Sequence, residues 1–346
     1  MMEFVLAGPK QIVFREYSEP PLKPDEVRVQ TVLTGLKHGT EMAMYEGKTP
    51  FATHDFDPEY RLFREKENQQ IYPLNLGSWG VGRVTETGAD VRGFSVGELV
   101  LAPMPHRPTN VVRPPRLYRL GDIDPQMAIF TDPAIFALSA VHDAQISLGD
   151  HVAIFGMGAI GLLAVQFARM SGASVIAVDL LPERLALAAQ LGATAVLNPA
   201  EGDVALHMRD LTGRKGVDTA IEISGSLMAL QQAVRSARPC GRVVAASYYK
   251  GQMPFEFGAE WHHNRLTMIS SMPVWGMPHR RAPLWDLARM ESTILALMRE
   301  GRLVTAPLLG HVFPYASAAE AYALIAEKPN LYIKTAFTYG EADGGS

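Results

Sequence analysis

Val152–Asp179 reads VAIFGMGAIGLLAVQFARMSGASVIAVD. An apolar run enters Gly156, Gly158 and Gly161, a helical period follows, and a second apolar run stops at Asp179. A strand, a glycine turn, a helix and a second strand ending in a carboxylate is the order a dinucleotide site requires. Gly156 permits the tight turn, Gly158 lets backbone approach a pyrophosphate, and Gly161 lets the helix lie close to the strand. The N–H groups of Ala159, Ile160 and Gly161 open the helix, where the positive end of its dipole also lies. Asp179 is placed to accept hydrogen bonds from the adenine ribose hydroxyls and to repel a 2′-phosphate, so NAD is expected rather than NADP. Leu180, Leu181 and Pro182 add no positive charge after it. Arg184 in the next helix, with Ser224 and Ser247 beyond later strands, completes the expected cofactor contacts. A plainer role for Asp179 is to cap the helix that begins near Pro182.

Working outward, apolar strands and helical periods alternate from Pro133 onward. Strands are predicted at 152–155, 174–178, 195–197, 219–223, 242–246 and 267–271, with helices at 161–171, 182–191 and 227–237. Six strands alternating with helices specify an α/β fold, a doubly wound parallel sheet of Rossmann type. Residues 1–130 instead read as short strands, such as 27–34, 81–87 and 99–102, separated by Gly and Pro signals. After Pro283 a helix (284–300), a strand (311–313), a helix (317–326) and a last strand (333–338) are expected, then a loose tail from Gly340.

The bulk properties narrow the classes. The chain has 346 residues, 47% of them hydrophobic, and a net charge of −4, so neither disorder nor a nucleic-acid surface is indicated. No apolar run approaches the roughly 20 residues that span a bilayer. The opening MMEFVLAGPKQIVF reads as a strand and turn, not a signal peptide. Cys240 is the only cysteine, so neither an internal disulfide nor a thiolate metal cluster is available. A cytoplasmic protein with a small-molecule substrate, and no nucleic-acid or membrane partner, is expected.

Several segments carry a family resemblance. Thr34-Gly35-Leu36 with Gly39-Thr40-Glu41 resembles a TGIC-GTD segment, and Leu76–Val84 (LGSWGVGRV) resembles LGHEgvGrV. Gly88–Ala102, Asp132-Pro133, Ser224-Gly225-Ser226 and Arg238–Val244 follow in the matching order. On these segments the chain is similar to the medium-chain dehydrogenase/reductase superfamily, which holds the zinc alcohol and polyol dehydrogenases and the quinone reductases. The resemblance implies a mostly β, GroES-like catalytic domain from residues 1–130 and 280–346, with a nucleotide domain, 131–279, inserted. It also implies a homodimer or homotetramer, with strand 267–271 and Met272-Pro273-Val274 as the pairing edge.

The sequence departs from the family at the metal. The zinc enzymes use a Cys, a His and an acid; here Lys37 or His38 falls at the Cys position, and Ser78 and Trp79 replace the His and Glu. The four-cysteine structural lobe is absent, so no metal is expected, a residual set of His38, Glu41 and Asp132 being the exception to watch. Side chains must then steady the charge on the reacting oxygen and move its proton. Lys37 is the first candidate, His38 beside it titrates near neutrality, Thr40 resembles the family's relay hydroxyl and Glu41 the acid next to it. Trp79, Asp132, His262 and His263 are the expected substrate contacts; a packed core indole is the plainer reading of Trp79, and a polar surface loop that of Glu260–Arg265. Thr49–Tyr72 is expected to be a solvated loop with a short helix around Pro58–Glu67, or a flap bringing His54 and Tyr60 to substrate.

The expected activity is zinc-independent, NAD-linked interconversion of a secondary alcohol and a ketone on a polyol, sugar or cyclitol. Three rivals remain: an NADPH quinone or enone reductase, a dehydrogenase of bacteriochlorophyllide-like ring substituents, and a nucleotide-binding protein without catalysis.

Overall fold

In the computed structural model, which describes all residues but 67–70, 250, 274–283 and 341–346, the chain divides into two compact units, 1–130 with 308–346, and 131–307. In the first unit Met2–Gly8 (β1) and Gln11–Glu16 (β2) form a hairpin. Val27–Gly35 (β3) leads into the helix His38–Tyr45 (α1). His54–Asp57 (β4) pairs with Leu62–Glu65 (β5). Trp79–Thr87 (β6), Leu99–Pro103 (β7), Thr109–Val112 (β8), Tyr118–Arg119 (β9) and the single turn Pro125–Ala128 (α2) follow.

The β4–β5 hairpin replaces the short helix expected around Pro58–Glu67, of which Glu67 lies outside the described residues. The period of two in HDFD and LFRE pairs Phe56 with Phe63. Asp57 Oδ1 accepts the N–H groups of Glu59 and Tyr60, each at 2.9 Å, and so closes the turn that a helix would have continued through.

The second unit opens with Thr131–Ala144 (α3) and His151–Phe155 (β10). Ala159–Met170 (α4), Ser174–Val178 (β11), Pro182–Gln190 (α5), Ala195–Leu197 (β12) and Val204–Leu211 (α6) come next. Val217–Glu222 (β13), Leu227–Ser236 (α7), Ala237–Ala245 (β14), Thr267–Ser270 (β15) and Leu287–Arg299 (α8) complete it. All strand pairs are parallel, in the order β12-β11-β10-β13-β14-β15. The order reverses between β10 and β13, which makes a crevice at their carboxyl ends the natural place for a dinucleotide. Its core joins Ala153, Ile176, Val217, Ala220 and Val243 of the strands to Leu230, Ala233 and Val234 of α7.

The second unit runs to 307, past the expected limit of 279. The reason is α8, which buries Met290, Ile294, Leu295 and Met298 on one face and packs against α3. Leu309–Pro314 (β16), Ala318–Glu327 (α9) and Lys334–Thr338 (β17) return to the first unit. Its main sheet has the order β16-β17-β3-β6-β7-β9, with β8 also on β3. Among the described residues no helix is long and apolar enough to cross a membrane.

Candidate active site

The glycine turn after β10 is built as the sequence reading requires. Gly156 has φ +97, a left-handed value that favours glycine. A Cβ on Gly161 would stand 1.8 Å from the Gly156 carbonyl oxygen, so helix and turn touch backbone to backbone. Gly158 caps α4 without a side chain, and nothing lies within 4 Å of where its Cβ would be. Among the described residues no side chain caps the N–H groups that open α4, which suits a pyrophosphate.

Asp179 follows β11, half-buried. Its Oδ2 accepts the Met157 N–H of the glycine turn at 2.6 Å, and its Oδ1 accepts the Leu181 N–H at 2.9 Å. The cap position of α5 falls to Leu181, whose side chain makes no cap bond, and not to Asp179. The carboxylate is instead tied to the phosphate turn, which fixes where its charge points. Arg184 lies half-buried in the first turn of α5. The Ser224 hydroxyl donates to Glu222, and the Ser247 hydroxyl donates to the Ile223 carbonyl at 2.6 Å.

In the first unit Lys37 precedes α1, half-buried, and its N–H donates to Glu41 Oε1 at 2.7 Å. Glu41 is 3% exposed and also accepts from the Tyr322 hydroxyl and from His106 Nε2, the latter at 3.1 Å. His106 Nδ1 lies 2.6 Å from Thr34 Oγ1, which lies 3.0 Å from the Tyr339 hydroxyl. Burial alone would raise the Glu41 carboxyl; the charge of His106 and hydrogen bonds from His106, Tyr322 and Lys37 outweigh it and hold the carboxyl at about 2. Burial and the Glu41 charge push the Tyr322 hydroxyl well up, so it stays a donor.

Several expected roles change. Glu41 serves a buried scaffold and fixes the backbone at Lys37; it does not exchange protons near neutral pH. His38 is likewise committed, with Nδ1 3.0 Å from the Ile333 carbonyl and Nε2 3.1 Å from Thr335 Oγ1. Thr40 is exposed on the first turn of α1. Trp79 is 3% exposed, stacked with Tyr118 at 6.3 Å and covered by Arg116, so the packed indole is the correct reading. Asp132 is buried in the first turn of α3, a position where the helix dipole favours a carboxylate.

His262 and His263 are exposed and follow the wide helical turn Phe257–Trp261. They enter β15 at the amino edge of the parallel sheet, whereas Gly156 leaves β10 at its carboxyl edge. In a parallel sheet these are opposite edges, so the two histidines lie at the edge away from the glycine turn. His106, Tyr322, Tyr339 and Glu222 were missed by the sequence reading. A histidine just past the apolar strand LVLAP, and an acid ending the apolar strand VDTAIE, were the available signals.

The donor set does not fit a catalytic zinc ion. His38 spends both ring nitrogens on residues 333 and 335, Glu41 spends both oxygens on the Lys37 N–H, His106 and Tyr322, and by the resemblance Ser78 and Trp79 take the places of the family's His and Glu. Among the described residues no three His, Cys, Asp or Glu side chains are grouped to hold a metal.

Comparisons with known proteins agree with this fold. Residues 159–289 match the family model of a zinc-binding dehydrogenase. D-guloside 3-dehydrogenase of Escherichia coli K12 is 32% identical over 98% of this chain and 100% of its own. (R,R)-butanediol dehydrogenase of Bacillus subtilis 168 is 29% identical over 84% of this chain and 86% of its own. The crystal structure of Bacillus subtilis 2R,3R-butanediol dehydrogenase matches at a TM-score of 0.81 and 22% identity, covering 97% of this chain and 99% of that one, a likeness of fold.

Proposed function

Because the chain belongs to the medium-chain dehydrogenase/reductase superfamily, we propose that it is a zinc-independent, NAD-linked enzyme interconverting a secondary alcohol and a ketone on a polyol, sugar or cyclitol. One observation carries the cofactor choice. Both Asp179 oxygens are anchored by backbone N–H groups, so the negative charge cannot swing aside for a 2′-phosphate. The substrate class is supported by the whole-length likeness to an enzyme named for the 3-position of a guloside.

The N–H groups of Ala159, Ile160 and Gly161 and the Asp179 carboxylate would hold the dinucleotide, which would supply hydride exchange at the alcohol carbon. The chain's own residues hold the oxygen and its proton. The Lys37 ammonium donates to the substrate oxygen and offsets its growing negative charge, a contribution of about 3 kcal/mol for one well-placed donor. Glu41 keeps the Lys37 backbone in place, and the exposed Thr40 hydroxyl passes the proton towards solvent. Lys37→Ala is expected to cut turnover by about a hundredfold; an unaltered rate removes Lys37 from the reaction.

Titration of nicotinamide fluorescence tests the cofactor. NADH should bind tightly and NADPH weakly, and the reverse order refutes the assignment. A panel of polyols, sugars and cyclitols with NAD then tests turnover. No absorbance change with any of them supports a binding protein without catalysis.

A further inference from the structure

Glu222 ends β13 and is fully buried, yet the dinucleotide fingerprint asks for no acid there. Its carboxyl gathers donors from two loops. Oε1 accepts the Ser224 N–H at 2.8 Å, the Gly225 N–H at 3.1 Å and the Ser224 hydroxyl. Oε2 accepts the Tyr249 hydroxyl at 2.6 Å and shares the Gly225 N–H at 3.3 Å. The chain turns sharply at Gly225, φ +78, and the turn aims two successive N–H groups inward, where a carboxylate answers both. Burial pushes the Glu222 carboxyl up from its ordinary range, while hydrogen bonds from Ser224, Tyr249 and Gly225 pull it down.

The bonds connect residues 223–226, after β13, to residues 246–249, after β14. Ser247 adds a second tie through the Ile223 carbonyl at 2.6 Å. The first of these loops also faces the glycine turn. A Cβ built on Gly156 would lie 2.7 Å from the Ser224 Cβ and 2.8 Å from its Cα. Ser224 therefore abuts Gly156 at the point where the strand order reverses, and whatever holds Ser224 sets the width of the crevice there.

We propose that Glu222 is a positioning residue for the cofactor: its carboxyl clamps the loops after β13 and β14 so that Ser224 and Gly156 stand at the spacing a dinucleotide needs. This rests on the dinucleotide reading given above. Alanine leaves the Ser224 and Gly225 N–H groups and the Tyr249 hydroxyl without their acceptor. Glutamine keeps one acceptor oxygen and lets the Tyr249 hydroxyl turn to accept, so it should restore part of the function.

The test uses the full chain with Glu222→Ala, Glu222→Gln and Tyr249→Phe, reading the NADH dissociation constant by fluorescence and the thermal midpoint without ligand. Glu222→Ala is expected to weaken NADH binding about tenfold or more, and Glu222→Gln and Tyr249→Phe about threefold each. If Glu222→Ala does not fold, the other two variants carry the test. A midpoint that falls with unchanged NADH affinity overturns the proposal, as do folded variants that all bind like the wild type. The wild type is measured first, against both NADH and NADPH; a wild type that binds neither refutes the dinucleotide reading itself.

Discussion

Gly161→Ala is expected to abolish cofactor binding and to destabilise the second unit by about 1–3 kcal/mol. The added methyl would stand 1.8 Å from the Gly156 carbonyl oxygen and 2.9 Å from its carbon. Both are backbone atoms, so no side chain can rotate to make room. Either α4 backs away from the turn or the turn rotates, and each shift moves the N–H groups of residues 159–161 off the phosphate position. Gly158→Ala is the contrast. Its methyl meets nothing within 4 Å, and the φ of −76 suits any residue, so the fold should be unaffected. Affinity should still fall, because the methyl occupies space reserved for the ligand. Calorimetry with NADH and a thermal melt separate the two variants. A Gly161→Ala protein that binds NADH within threefold of the wild type would contradict the geometry of the turn.

Glu41→Ala should cost roughly 1–3 kcal/mol for each buried donor left without its acceptor. His106, fully buried, loses its acid; the Tyr322 hydroxyl loses its acceptor. The effect has a pH signature with a definite sign. The Glu41 carboxyl is held at about 2 in the fold against an ordinary 4.5, so the folded state favours the ionised form. That stabilisation, roughly 3 kcal/mol, is fully present above about pH 4.5 and is lost as the pH falls from there towards 2. Glu41→Gln cannot ionise and lacks it at every pH. Urea midpoints of wild type and Glu41→Gln should therefore differ most near neutral pH and converge in acid. Parallel curves across that range would show that the pair carries no such linkage.

The nucleotide-binding unit was legible in the sequence because its signals are local. Strand, turn and helix follow one another within 152–179, and the strand boundaries at 174–178 and 195–197 are those observed. Contacts between distant positions were not legible. Glu41 meets His106 across 65 residues and Tyr322 across 281, and no spacing rule links them. The same limit hid Glu222, whose four donors come from a turn and from Tyr249, 27 residues on. The hairpin at 54–65 is obscured in the sequence by its charged residues, which favour a solvated segment, and by the shortness of its period of two. His262 and His263 adjoin a strand in sequence, but the edge of the sheet they occupy follows from the strand's direction, which proximity alone does not give.

Metal analysis of purified enzyme, with turnover followed before and after exhaustive chelation, bears most directly on the claim that Lys37 and its neighbours replace a cation at the reacting oxygen. Full activity without a stoichiometric transition metal, and no loss on chelation, is the expected result. One tightly held zinc per subunit, with activity lost on its removal and regained on its return, would contradict it.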